Sequence, residues 1–454
     1  MIVFDVDAAA IDALALRETQ SLRAQGVEAG ESVGWLALNQ PRALALLAAC
    51  ERIGARYVPL NWRLGVAELA RCVEHAGLQW LLHDDAMRPL AEAILTMQRV
   101  DLPLPQAPGH VPGDVMLVYT SGTGGNPKGA IHTSAGMRAN IAAAIDAQHL
   151  DAQTRTLAVL PLFHVGGLCI QVLPTLAAGG CVRLHARFDA GAWLRDVAAW
   201  RPTTSLLVPA TMRALVEHPG WADADLRSLA FVNSGSQTVP RELIDAFHQR
   251  GVRVCQVYGA TETGPVSLVL RPEEALRHPG KAGRPALGVD VRCVDGELWI
   301  RGPNLARGYH REPDSPAFAD GWFHSGDLAI QSPDGLFEIV GRCNELIISG
   351  GENIHPTEIE NLALGDATVA EAAVVGLPDK QWGEVPVLAV VARPGAVVDV
   401  ARLAAVLADG LARFKQPRHI VVLPELPKTA LGKVQRARLA EHLSAMPLDE
   451  TRPR

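Results

Sequence analysis

The sequence predicts an α/β fold: a large N-terminal domain of parallel-rich sheets covered by helices, with a small β unit, followed by a small α+β C-terminal domain. Three observations predict it. The chain has 454 residues, more than one ordinary hydrophobic core accommodates, so at least two domains are expected. Short apolar runs alternate with segments of helical periodicity, as in a parallel sheet buried on both faces. Near residues 341–344 this alternation gives way to a compact set of strands and helices, which puts the expected domains at 1–341 and 342–454.

In chain order, residues 33–38 (VGWLAL) read as a strand and Pro41–Ile53 as a helix with Leu44, Leu47 and Ala48 on one face. Residues 56–60 read as a strand, 66–75 as a helix and 79–83 as a strand. A Pro-rich connector at 103–112 leads to a strand at 115–119, and further strands are expected at 156–160, 205–208, 229–233 and 253–257. Between 280 and 339, short strands separated by Gly, Pro and Asp indicate a small β-rich unit. Pro356 then opens a helix carrying Ile359, Leu362 and Ala363, with Glu358 and Glu360 where a helix N-terminus favours acids. Strands at 371–375 and 386–392 follow, then a helix with Leu403, Leu407 and Leu411 on one stripe, and a strand at His419–Leu423.

Apolar residues make up 48% and charged residues 20%, a globular rather than a disordered balance. The net charge of −7 comes without a basic block, which argues against a nucleic-acid partner. Seven scattered cysteines form no CxxC or His/Cys cluster; a zinc or disulfide framework is not expected, and a reducing cytoplasm fits. The opening residues MIVFDVDAAAID place acids where an export signal needs positive charge. Residues 157–182 contain no Asp, Glu, Lys or Arg and could span a bilayer by count. Pro161, Pro174 and the glycine pairs 166–167 and 179–180 break that run into strand-, loop- and helix-sized pieces, so buried core is expected and no integral membrane segment.

Residues 119–129 read YTSGTGGNPKG, a strand running into hydroxyls, glycines and a lysine. Glycines let backbone N–H groups turn toward a phosphate, and Lys128 adds a cation. Pro127 and Gly129 flank that lysine, so this is not the Gly-Lys-Ser/Thr loop of NTPases. Taken alone the string also fits a surface hairpin. As a whole, however, it resembles the phosphate loop of the adenylate-forming superfamily of acyl-CoA synthetases, luciferases and peptide-synthetase adenylation domains. YGATE at 258–262, GWFHSGDL at 321–328, GRCNELIISGGENIHPTEIE at 341–360 and PKTALGKVQR at 427–436 match its further motifs in order. PLNWRL at 59–64 and PLFHVGG at 161–167 are similar to the compact bacterial acyl- and aryl-CoA synthetases.

That resemblance implies an acid–CoA ligase that uses ATP, Mg2+ and coenzyme A, forms an acyl-adenylate with release of pyrophosphate, and then an acyl-CoA with release of AMP. Two anions must approach in the first step, so cations and positioned donors carry the catalysis. By resemblance, Thr120, Ser121, Gly122, Thr123 and Lys128 hold the β- and γ-phosphates. Tyr258, Gly259 and Thr261 face the nucleotide, Thr261 at the α-phosphate, and Glu262 supplies a carboxylate to Mg2+, a hard cation that takes oxygen ligands. A Thr-Glu pair by itself would also suit a helix N-terminus. Gly235 and Ser236 lie where relatives place adenine, Asp327 suits the ribose hydroxyls, and Arg342 reaches the nucleotide. Lys433 contacts the carboxylate and α-phosphate during adenylation.

The resemblance further implies that the C-terminal domain is mobile and turns about Asn344 after adenylation. Lys433 then leaves, and a glycine-rich strand at Gly350 and Gly351, with Trp382 near the entrance, lines a tunnel for the pantetheine of coenzyme A. The chain departs from the family at Gly124, where a Thr is usual, at Gln237 in the adenine segment, and at Asn344, where Asp or Lys is more common. His164, Gly166, Gly167, Gly259 and Ala260 are expected around the acid, the glycines leaving room for a chain or a ring. No Arg or Lys lies in those stretches to pair a second carboxylate, which favours a fatty or aryl monocarboxylic acid. Loading of a carrier-protein thiol, or a catalytically lapsed nucleotide- or acyl-binding protein, are the competing readings. A homodimer is left open.

Overall fold

The computed structural model describes residues 2–97, 111–121, 127–428 and 434–447. Most of the Pro-rich connector, Gly122, Thr123 and Gly124 of the phosphate loop, and Lys433 lie outside the described residues. The chain divides into a larger unit (1–292, 299–325 and 332–337) and a smaller one (293–298, 326–331 and 338–454).

Two sheets build the larger unit. In the first, Arg155–Ala158, Thr204–Leu207, Phe231–Gly235 and Arg253–Tyr258 are consecutive parallel neighbours, with Cys181–His185 parallel to Arg155–Ala158. Antiparallel strands close its edges, Val3–Val6 against Cys181–His185 on one side and Leu268–Val269 followed by Arg284–Pro285 on the other. In the second, Trp80–His83, Ser32–Leu36, Arg56–Pro59 and Asp114–Ser121 run parallel, and Pro127–Thr133 returns antiparallel. The central parallel strands are buried along their length, Thr204–Leu207 and Phe231–Gly235 at every residue, as strands covered on both faces are. One core contains Val33, Trp35 and Met116 from the second sheet, Val182 and Leu184 from the first, and Leu44 and Leu46 from the helix between. That helix, Pro41–Ile53, starts with proline and ends at Gly54 with φ 75°, the residue asymmetry of helix ends.

The uncharged run at 157–182 folds as a strand, a one-turn helix Val165–Gly167, a π-helix Leu168–Val172, a short helix Leu173–Ala177 and a strand. Among the described residues no helix is long and apolar enough to cross a membrane. A third sheet contains Asp290–Val294, Glu297–Arg301, Phe318–Ala319, Trp322–Gln331 and Phe337–Arg342.

In the smaller unit, Val369–Asp379 pairs antiparallel with Gly383–Ala392, and His419–Leu423 runs parallel to the latter. Val374, Leu388 and Val390 face helices Pro356–Leu364 and Val400–Gly410, while Ala373, Val375, Val387 and Ala389 face helix Arg436–Ser444. Burial on both faces makes the strand sequence continuously apolar rather than alternating.

Two expectations need correction. Gly350 and Gly351 do not form a strand. They are the turn of a hairpin between Ile347–Ser349 and Glu352–Ile354, with φ of 61° and 86°, as a two-residue hairpin turn requires. Glu360 is not simply a helix-end acid. It is buried, accepts from Val374 N at 2.7 Å, and pairs with Arg436 at 2.6 Å.

Candidate adenylate-forming site

Thr120, Ser121 and Lys128 belong to the antiparallel pair formed by Asp114–Ser121 and Pro127–Thr133, in which Thr120 pairs with Lys128. Thr120 Oγ1 donates to Lys128 O at 3.5 Å. Lys128 Nζ lies 3.3 Å from Glu312 and 5.0 Å from the centre of the Tyr309 ring. The segment 306–312 runs along this hairpin: Arg307 N donates to Ile131 O, Ile131 N to Gly308 O, and His310 N to Gly129 O, at 2.9, 3.0 and 2.7 Å.

The same segment reaches the YGATE motif. The Arg253–Tyr258 strand ends, Gly259 turns the chain back, and Thr261–Thr263 form one 3-10 turn with Thr261 and Glu262 both buried. Ala306 N donates to Glu262 O at 2.7 Å, and the Tyr309 hydroxyl donates to Glu262 Oε1 at 2.6 Å, the short distance of a charge-assisted bond. Lys128, Glu262, Tyr309 and Glu312 therefore share one neighbourhood. Sequence reasoning supplied the first two and missed the other pair.

Among the described residues no group of three or more His, Cys, Asp or Glu could hold a metal ion. A single buried carboxylate still fits Mg2+, which takes one or two carboxylates and completes its shell with phosphate oxygens and water.

Next to the hairpin, Arg56 and His310 are buried and His75, Tyr119 and Arg311 half-buried. His75 Nδ1 is 3.0 Å from the Tyr119 hydroxyl, Arg311 Nε donates to His75 O at 2.8 Å, and Arg56 Nη1 is 3.5 Å from His310 Nδ1. Burial, reinforced by the neighbouring arginines, pushes His310 down to about 3; burial and Arg311 push His75 to about 4. Both rings are neutral near pH 7. Burial likewise holds the Tyr119 phenol well above its ordinary value.

In the acid segment, His164 caps the Val165–Gly167 turn, its Nδ1 accepting from Gly166 N at 3.0 Å. Burial lowers it to about 4, so the neutral ring carries its proton on Nε2. The 59–64 and 161–167 strings meet here: Trp62 packs edge-on to Phe163 with centroids 6.4 Å apart, and Arg63 covers both rings. The expected reason for the glycines is corrected. A Cβ on Gly167, Gly235 or Gly259 would lie 2.2, 2.4 or 1.8 Å from a backbone oxygen, of Pro161, Val257 and Pro265 respectively. These residues are small because main chain fills the space beside them. Gly166 is tight against His164 at 3.1 Å. Ser236 holds φ at 70°, an uncommon backbone conformation for a non-glycine residue.

Within the smaller unit, Asp327 lies in the strand Trp322–Gln331 and pairs with Arg342 at 2.7 Å. Asn344 is exposed in the single turn Cys343–Glu345. Gly350 N donates to Trp382 O at 2.8 Å, and a Cβ on Gly350 would meet the Trp382 ring at 2.6 Å, so the three tunnel candidates adjoin. Arg436, three residues beyond Lys433, binds Glu345 at 2.9 Å and Glu360 at 2.6 Å.

Residues 9–310 match the AMP-binding enzyme model and residues 358–433 the AMP-binding enzyme C-terminal domain model. An indoleacetate–CoA ligase of Aromatoleum aromaticum is 40% identical, covering 95% of this chain and 92% of its own. A feruloyl-CoA synthase of an Amycolatopsis species is 38% identical, covering 92% and 90%. The o-succinylbenzoate CoA synthetase of Bacillus subtilis, solved with its acyl-adenylate and with ATP and a magnesium ion, superposes with a TM-score of 0.83 in both states. Its identity is 28%, and it covers 95% of this chain and 92% or 94% of its own. With residues 9–310 and then 358–433 matching both family models, and a relative 40% identical over 95% of this chain's length, the chain belongs to the AMP-binding enzyme family.

Proposed function

We propose that this chain ligates an aryl-substituted monocarboxylic acid to coenzyme A in two steps. The acid's carboxylate oxygen bonds to the α-phosphorus of ATP while the bond to pyrophosphate breaks. The thiolate of coenzyme A then attacks the acyl carbon, and AMP leaves. The observation that carries the reading is the meeting of Lys128 and Glu262, distant in sequence, at the Tyr309 side chain.

Thr120, Ser121, Gly122, Thr123 and Lys128 hold the β- and γ-phosphates, and Thr261 donates to the α-phosphate. Glu262 holds Mg2+, which when bound offsets phosphate charge. Asp327 takes the ribose hydroxyls and Arg342 steadies that carboxylate; Gly235, Ser236, Tyr258 and Gly259 border the base. His164, Gly166, Gly167 and Ala260 border the acid, and the neutral His164 ring places no charge beside an aryl group. The aryl class is supported by the indoleacetate and feruloyl relatives. The C-terminal unit turns about Asn344 between steps, withdrawing Lys433 and bringing Gly350, Gly351 and Trp382 to the pantetheine. A cytoplasmic location suits a chain whose seven cysteines are all free.

The test is pyrophosphate release with Mg2+-ATP across a panel of arylacetic, cinnamic and unbranched aliphatic acids, followed by acyl-CoA formation. Aryl acids are expected to give the highest kcat/KM; preference for aliphatic acids would sink the substrate class, and release independent of acid would sink the reaction. Lys433→Ala should slow adenylation by about 10²–10³-fold, as for loss of a principal charge stabiliser. It should still convert supplied acyl-adenylate to thioester, and loss of both halves would remove the role given to Lys433.

A further inference from the structure

Resting on the reading above, we propose that Tyr309 is a positioning residue for nucleotide and metal: its hydroxyl fixes the Glu262 carboxylate and its ring holds Lys128 at the phosphate hairpin. The hydroxyl donates to Glu262 Oε1 at 2.6 Å, and the ring centroid is 5.0 Å from Lys128 Nζ. The tyrosine is itself held firmly. It is 7% exposed, packs edge-on to Phe318 with centroids 5.4 Å apart, and forms a bridge with Ala130 of the hairpin.

A carboxylate with one oxygen engaged by a rigid donor is confined to one rotamer. The other oxygen is then aimed before any cation arrives, and the ordering entropy is spent in folding rather than in binding. The ring face, whose quadrupole attracts ammonium, holds Lys128 independently of that hydrogen bond. A single side chain therefore sets the spacing between the cation that meets phosphate and the carboxylate that meets metal.

The two functions separate by substitution. Tyr309→Phe deletes the hydroxyl and keeps the ring; Tyr309→Leu deletes both. The probe is the α,β-methylene analogue of ATP, titrated by calorimetry in Mg2+ and again in EDTA. The ratio of the two Kd values isolates the metal-dependent part of binding without turnover. Tyr309→Phe should cut the Mg2+ enhancement by about tenfold and leave the EDTA affinity unchanged, since loss of an outer-shell partner costs about 10–100-fold in metal affinity. Tyr309→Leu should lower the EDTA affinity as well. Combined with Glu262→Gln, Tyr309→Phe should add nothing further, as expected of residues acting through one another. An unchanged Mg2+ enhancement in Tyr309→Phe, or full additivity with Glu262→Gln, would overturn the inference. If wild type itself shows no Mg2+ enhancement, or Glu262→Gln keeps it, the metal role of Glu262 fails instead.

Discussion

Lys128 is paired before any nucleotide arrives. Glu312 lies 3.3 Å from its ammonium, and both side chains are about one-third or more exposed, so the pair is worth at most about 1 kcal/mol. In the phosphate-binding role proposed for Lys128, an incoming triphosphate must share or displace that carboxylate and also meets its negative charge. Glu312→Gln is therefore expected to lower the KM for ATP by up to about fivefold with kcat little changed. Initial rates over an ATP series read this directly, and a raised KM would mean Glu312 orients Lys128 rather than competing for it. At this scale the sequence reveals residues whose chemistry is unusual where they stand: a lysine after glycines, a carboxylate in a buried turn. It does not reveal Tyr309 or Glu312. Nothing in RGYHREPD at 307–314 departs from an ordinary charged loop, and its partners at 128 and 262 become neighbours only through nonlocal pairing.

Secondary structure was legible where local chemistry punctuates it. Pro41 and Gly54 bracket a helix, and buried parallel strands announce themselves as apolar runs. The edge strand Val3–Val6 was not, because VFDV gains its meaning from antiparallel pairing with Cys181–His185. The Gly350-Gly351 pair was legible as special but misread as strand, since glycine marks either close approach or positive φ and composition does not distinguish them. That distinction changes how the tunnel is tested. A leucine at Gly351 would strain the backbone at φ 86° by about 1–2 kcal/mol whatever ligand passes. Asn tolerates this region far better, and a Cβ on Gly351 meets nothing within 4 Å. Gly351→Asn should therefore keep pyrophosphate release within about twofold while slowing acyl-CoA formation by more than about tenfold, a steric block worth at least about 1.4 kcal/mol. Equal rates in both half-reactions would show that pantetheine does not pass residue 351.

At the scale of the whole molecule, buried neutral histidines of the larger unit link its stability to pH. Burial is the foremost cause in each case, pushing His75, His132 and His164 down to about 4 and His310 to about 3, from an ordinary 6.5. The unfolded chain takes up protons on these rings as pH falls through 6.5, whereas the folded chain does not until about 4. Between those values the unfolded state binds more protons, so stability declines on acidification, and above pH 6.5 these groups add no pH dependence. Each contributes a slope of up to about 1.4 kcal/mol per pH unit in that window. His132 isolates the effect best: it is 3% exposed, its Nε2 has no hydrogen-bond partner among the described residues, and burial is the one cause of its shift. Urea unfolding from pH 8 to pH 4.5 should show a plateau and then a steady loss of stability below about 6.5. His132→Gln should flatten that loss by up to one proton's worth while shifting the plateau by a constant amount. A variant that moves the plateau but keeps the full slope would mean His132 is already protonated in the fold, and that the solvent reaches the hairpin strand on which it stands.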